Sequence, residues 1–158
     1  MACSKGLRLL FLLSWAAGSE ALGDIMRPSC ASGWFSYKST CYGYFRKLKS
    51  WSDAELECQS YGSGAHLASI LSLKEASIIS KYINGYQRNQ PVWIGLHDPQ
   101  KKQQWKWVDG NLSLTRFWSG RSSSEDKHCA EMSYSNNFLA WNKNDCNKLQ
   151  HFLCKYRP

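Results

Sequence analysis

Residues 91–96, Pro-Val-Trp-Ile-Gly-Leu, form a nearly continuous apolar run, as a buried strand should. Outward from it, the chain reads as short strands separated by turns. Residues 104–110 alternate Trp105 and Trp107 around Lys106 and close on Asp109-Gly110, a turn signal. Residues 128–132 (HCAEM), 138–141 (FLAW) and 152–156 (FLCKY) complete this set of predicted strands. Upstream, residues 34–45 (WFSYKSTCYGYF) are aromatic and alternating with a Ser-Thr break, which predicts a hairpin.

Two helices are predicted between that hairpin and the apolar run. Ser52 and Glu55 form an S-x-x-E capping box, with Trp51 and Leu56 at the staple positions. Ala54, Cys58 and Tyr61 then share a face, and Gly62 is placed to stop the helix. Ser72 and Glu75 repeat the box after Leu71. Ile79, Tyr82 and Ile83 supply the buried face, and Asn84-Gly85 ends the helix. Helices first and strands afterwards describe an α+β domain with a mainly antiparallel sheet.

The chain has 158 residues, with 8 Trp, 8 Tyr and 6 Phe, which excludes a disordered polypeptide. No repeat, low-complexity tract or linker divides residues 24–158, so one domain is expected there. Residues 1–23 have the grammar of a secretory signal. Lys5 and Arg8 give a positive head, the stretch from Leu7 to Ala17 is apolar, and Ala21 and Gly23 are small residues at a cleavage site. The apolar run is too short to span a membrane. Cleavage lowers the formal net charge of +8 by one and removes Cys3.

Six cysteines remain: Cys30, Cys41, Cys58, Cys129, Cys146 and Cys154. In a secreted domain these imply three disulfides, for which 15 pairings are possible. No Cys-x-x-Cys or Cys/His spacing suggests zinc. With the cysteines so used, no thiol remains as a nucleophile. His66, His97, His128 and His151 have no evident Ser or Asp partner, and there is no Gly-x-Ser-x-Gly elbow, so no enzyme is expected.

Trp93-Ile94-Gly95-Leu96, the spacing from Trp141 to Cys146, and Phe152-Leu153-Cys154 resemble the C-type lectin domain. With the His97-Asp98-Pro99 segment, HCAEM and the terminal CKY, the chain resembles the regenerating-protein (lithostathine-like) family of small secreted lectin-like proteins. The resemblance covers essentially all of residues 30–156. It implies a C-type lectin-like domain with long loops, and the pairs Cys30–Cys41, Cys58–Cys154 and Cys129–Cys146.

The wider class grips sugars through calcium, using a Glu-Pro-Asn or Gln-Pro-Asp loop, a further Glu, and Asn-Asp after the Trp of the penultimate strand. Here Trp141 is followed by Asn142 and Lys143, and the other loop reads Gly120-Arg121-Ser122-Ser123, without Pro or carboxylate. An ammonium in place of a carboxylate repels a divalent ion, so no metal and no cofactor are expected. Glu125, Asp126, Glu131 and Asp145 are the nearby oxygen donors, and they read more simply as solvated loop charges or partners of Lys and Arg.

The expected function is therefore calcium-independent binding of polysaccharides such as mannan and of anionic glycans such as heparin. Two loops offer the chemistry. The first contains Asp98, Pro99, Gln100, Lys101, Lys102 and Gln103, where the resemblance places a polysaccharide-recognition loop, although the Glu-Pro-Asn found there in relatives is missing. The second contains Ser135, Asn136 and Asn137 after Tyr134, with two amides able to grip vicinal hydroxyls. Both also have the composition of ordinary turns. Clusters at Arg46, Lys47 and Lys49, at Lys101, Lys102 and Lys106, and at Lys143 and Lys148 favour anionic partners, microbial envelopes among them. No nucleic-acid motif occurs. Most tryptophans are expected in the core. Asn111-Leu112-Ser113 is a sequon for N-glycosylation. The alternative function, also implied by the resemblance, is a secreted growth or survival signal acting on a cell-surface receptor.

Overall fold

A computed structural model of the chain describes residues 29–87, 89–120 and 126–158, without the side chain of Asn136. Residues 1–23, expected to be a secretory signal, residues 121–123 and Glu125 lie outside the described residues. The elements run β1 (Phe35–Tyr37), β2 (Thr40–Lys49), α1 (Trp51–Gln59), β3 (His66–Leu67) and α2 (Leu73–Asn84). They continue with β4 (Val92–His97), β5 (Lys106–Trp107), β6 (Cys129–Met132), a 3-10 turn (Tyr134–Asn136), β7 (Trp141–Asn144) and β8 (Gln150–Tyr156). The sheet order is β1-β2-β8-β4-β6-β7, with β3 added to β8 and β5 to β4. Every pairing is antiparallel except β4 with β8. Chain and fold thus agree with an α+β domain of two helices and long loops.

The apolar run 91–96 becomes β4, and its composition follows from burial on both faces. Val92, Ile94 and Leu96 enter one core with Ile79 and Ile83 of α2, Tyr42 and Trp141. Trp93 turns the other way, into a second core with Trp51, Ala54 and Cys58 of α1 and Phe152. Side-chain donors fasten the same strand: Trp51 Nε1 donates to Ile94 O at 2.8 Å, and Trp93 Nε1 to Lys49 O at 3.1 Å. At Gly95 the chain crossing from β3 lies against the strand. Gly95 N donates to Ala68 O at 2.8 Å, and a Cβ at this position would meet the Leu67 carbonyl.

The first helix begins two residues earlier than its predicted box. Ser50 is the cap, in extended backbone, and its Oγ accepts from Asp53 N at 3.2 Å. Two overlapping Ser-x-x-acid patterns compete here, and burial of Trp51 selects the earlier one. Glu55 is buried instead, accepting from Leu67 N at 2.8 Å and Gln59 Nε2 at 2.8 Å, with His66 Nδ1 at 2.7 Å. The helix also ends at Gln59, so Tyr61 is exposed and stacks on Phe45 rather than joining the core. The second box holds at its cap: Ser72 Oγ accepts from Glu75 N at 3.0 Å. Its Glu75 reaches Leu71 N at 2.7 Å, one residue before the cap.

The strand predicted at 138–141 is displaced to 141–144. Asn137 and Phe138 adopt left-handed backbone, with φ of 52° and 62°, which interrupts extension until Trp141. Trp93 and Trp141 are fully buried, Trp51 and Trp107 nearly so, while Trp34, Trp105 and Trp118 are half-buried. The disulfides are Cys30–Cys41, Cys58–Cys154 and Cys129–Cys146. The second ties α1 to β8 across 96 residues of sequence, a closure that restricts the unfolded chain by about 4–5 kcal/mol in an entropic account.

Gly95→Ala should cost about 3 kcal/mol, the scale of severe overpacking, because its methyl meets backbone rather than a movable side chain. Chemical denaturation of the oxidised protein measures the difference.

Candidate functional site

The loop after β4 is folded around one carboxylate. Asp98 is 1% exposed. Its Oδ1 accepts from Lys102 N and Gln104 N, both at 3.2 Å, and its Oδ2 from Gln103 N at 3.0 Å. His128 Nδ1 lies 3.1 Å from Oδ2, and Asp98 N donates to His128 O at 2.8 Å. Burial opposes the charge on Asp98. The N–H groups of Gln103, His128, Lys102 and Gln104 more than offset this and hold its pKa below the usual aspartate value.

This corrects the expectation that Asp98 grips hydroxyls. Its oxygens face inward and shape the loop. Pro99, Gln100, Lys101, Lys102 and Gln103 are exposed around it. Lys101 and Gln103 stand at φ of 57° and 61°, a region that costs a side chain roughly 1–2 kcal/mol. The carboxylate-to-amide bonds stabilise that conformation. Behind the loop, His97 stacks on Trp51 with ring centroids 4.4 Å apart, and burial lowers its pKa.

The second loop is a 3-10 turn capped by Ser133, whose Oγ accepts from Ser135 N at 3.3 Å and lies 2.7 Å from Ser135 Oγ. Its far end is tied to α2: Ser80 Oγ donates to Asn137 O, and Asn84 Nδ2 reaches the same oxygen at 3.4 Å. Phe138 is fully buried beneath it, while Ser135 and Asn137 are exposed and Tyr134 is 47% exposed.

These two loops do not come together. His97 pairs with Cys129 at one end of the β4–β6 ladder and Val92 with Met132 at the other. A six-residue strand sets those ends roughly 17 Å apart.

A third feature joins neither loop. Lys143 on β7 has its Nζ 5.2 Å from the centroid of Trp105 and 5.0 Å from that of Trp118. The two indoles meet edge to face at 5.1 Å. Segment 117–119 is laced to β7 alongside: Trp141 N donates to Phe117 O at 2.7 Å, and Ser119 N to Trp141 O at 2.9 Å. Asn142 Oδ1 accepts from Ser119 Oγ at 2.5 Å.

Glu131, read from sequence as a loop charge, is instead buried in β6. Asn144 Nδ2 donates to it at 2.5 Å, and burial raises its pKa despite the amides of Asn144 and Gln150. Asp145 Oδ1 accepts from Asn147 N at 2.9 Å in a turn. Among the described residues no group of three or more His, Cys, Asp or Glu is arranged to hold a metal ion.

Of the basic clusters, Lys47 and Lys49 lie 2.8 and 3.7 Å from Glu57, and Arg46 covers the Tyr86 ring. Lys101 and Lys102 are exposed. Sequence reasoning did not find His128, Ser80, Asn84 or the Trp105–Trp118 pair as supports. Their partners lie 30 or more residues away in every case but the Trp pair, and no local pattern marks them.

The fold and these loops define a C-type lectin-like domain, and residues 47–156 match the Lectin C-type domain family. Regenerating islet-derived protein 4 of Homo sapiens is 72% identical over 156 residues, covering 98% of this chain and 99% of that protein. A C-type lectin mannose-binding isoform of the snake Notechis scutatus scutatus is 32% identical, covering 95% of this chain and 98% of its own length. The crystal structure of human lithostathine superposes with a TM-score of 0.78 at 32% identity, covering 84% of this chain and 94% of that one. The chain belongs to the C-type lectin family, in its regenerating islet-derived branch.

Two predictions follow from the geometry. The folded pKa of Asp98 lies below its unfolded value of about 3.9, so its contribution is complete above that pH and is lost as pH falls through the folded value. Amide protection at Lys102, Gln103 and Gln104 should be flat from neutral pH down to about 5 and collapse only in stronger acid, while Asp98→Ala should abolish it at neutral pH. Hydrogen exchange read by NMR checks both. Lys143→Met should lower stability by about 1 kcal/mol through loss of the ring contacts, and Lys143→Arg should retain most of it. Thermal denaturation separates the two variants.

Proposed function

We propose that the chain is a secreted lectin-like protein that binds polysaccharides such as mannan and anionic glycans such as heparin without calcium, at epithelial or microbial surfaces. The observation that carries this reading is the seat of Lys143. The wider class places a carboxylate ligand at the second position after the Trp that here is Trp141, and this chain places an ammonium there, on two indole faces. Calcium needs six to eight oxygens with enough negative charge to offset its own. Among the described residues, Asn142 is engaged by Ser119 and Glu131 by Asn144, and the added cation repels a divalent ion. This arrangement of the described donors supports a reading without calcium.

Saccharide contact then falls to direct polar and ionic groups. Loop 98–104 offers Gln100 and Gln103 as amides and Lys101 and Lys102 as cations, in a strained conformation supported by Asp98. Strain kept in place by a dedicated buried group is a reason to assign a role to the loop. Loop 134–137 offers the exposed Asn137 and the ring of Tyr134 as an apolar face, and its sequence adds a second amide at Asn136. The likeness to a lectin named as mannose-binding supports a mannose-rich polymer as the neutral ligand. The net positive charge supports the anionic one.

A glycan array run with chelator present tests the reading. Binding to mannan and heparin should survive chelation. Lys101→Ala with Lys102→Ala should weaken heparin binding about tenfold and flatten its salt dependence, with a smaller effect on mannan. Asn136→Ala with Asn137→Ala should weaken mannan. Binding that requires added calcium overturns the proposal. No glycan signal, with retained stimulation of epithelial cells, assigns the chain to receptor signalling instead.

A further inference from the structure

The sequon Asn111-Leu112-Ser113 belongs to neither loop. It follows β5, where Asp109 Oδ1 accepts from Asn111 N at 2.9 Å. Asn111 Oδ1 accepts in turn from Ser113 N at 3.0 Å. That bond bends the tripeptide so that residue 113 returns toward the carboxamide, and Asn111 is exposed. Leu112 and Leu114 are 90% and 85% exposed, above every other large apolar side chain among the described residues.

Asn111 also stands on the wall of a cleft of about 450 Å³, which is lined further by Ser63, Gly64, Ser69, Asp109, Lys155 and Arg157. Its volume falls in the range of roughly 300–1,000 Å³ typical of small-ligand sites. The walls mix polar groups with the apolar surfaces of Leu71 and Tyr156, and the polar ones are held in place. Ser69 Oγ donates to Asp109, and Lys155 Nζ donates to Ser69 O at 2.9 Å and to Glu75 at 2.8 Å. None of these residues belongs to loop 98–104 or loop 134–137.

We propose that Asn111 carries an N-linked glycan and that this cleft seats the glycan's first N-acetylhexosamine units, holding it against the body of the domain. In the modification, Asn111 Nδ2 forms a bond to the anomeric carbon of an oligosaccharide carried on a polyprenyl diphosphate. The anomeric C–O bond of that donor breaks, its electron pair leaves with the diphosphate, and the carboxamide gives up one proton. The attachment point directly precedes Leu112 and lies three residues before Leu114, the two most exposed leucines among the described residues, so the glycan covers apolar surface. The cleft supplies hydroxyl, carboxylate and guanidinium partners for sugar hydroxyl and acetamido groups. This inference rests on passage through the secretory pathway, which belongs to the function proposed above.

Expression in mammalian cells, once with residues 1–23 and once with a heterologous leader, separates the two. Intact mass of the secreted protein should fall on treatment with a peptide N-glycosidase. It should not change in Asn111→Gln or Ser113→Ala. Secretion of the heterologous-leader form at its bare polypeptide mass overturns the proposal. Glycosylated product from the heterologous leader alone sinks the leader reading and leaves this one standing. For the cleft, amide NMR shifts of Ser63, Gly64 and Arg157 should differ between the glycosylated protein and Asn111→Gln, while those of residues 98–103 coincide. Unmoved shifts at Ser63, Gly64 and Arg157 overturn the seating.

Discussion

The backbone of β4 is the constraint on which the rest depends. One face of that strand serves the core under α2 and the other the core under α1, and the segment around Leu67 passes so close that position 95 has room only for hydrogen. Both ends of the strand are consequently immovable relative to the two cores. Asp98 is the first residue beyond one end, and the turn after β6 lies beside the other. Surface loops with no regular structure of their own acquire defined positions from this central strand. The strand in turn is held by two indole nitrogens of the second core, Trp51 donating to Ile94 O and Trp93 to Lys49 O.

Charge organises each loop in a different way. Around Asp98 a buried anion collects backbone amides, and that is how non-glycine residues are kept in left-handed backbone at Lys101 and Gln103. At β7 a cation collects aromatic faces. Lys143 draws Trp105 from beyond β4 and Trp118 from the long connection before β6 to one point. A bound ion does similar work in proteins that cross-link loops through a metal, and here a covalently attached side chain does it.

Much of the fold was legible in residue order, because the deciding signals are local or categorical. The doubly buried β4 reads as an apolar run, Ser72 caps its helix as expected, and the half-cystine pairs follow from family likeness. The misreadings share a cause. Ser50 displaced Ser52 as the cap because burial of Trp51 chose between two adequate patterns. Residues 138–140 are apolar yet not extended, because Phe138 fills the core from a left-handed turn. Asp98 was correctly placed in the loop, but its direction was not visible, since it is set by amides of the folded loop at Lys102, Gln103 and Gln104 together with His128 thirty residues on. The identity of loop residues could be read, whereas the side on which each presents its polar atoms required the tertiary contacts.

The opposed placement of the two loops along the β4–β6 ladder has a mechanical consequence. On the proposed reading, a monomer already has two gripping loops at opposite ends of one ladder, so a single molecule can bridge separate polymer chains without self-association. Viscosity of a mucus-like layer, or clumping of coated microbes, then becomes a property of one folded unit and of its concentration alone.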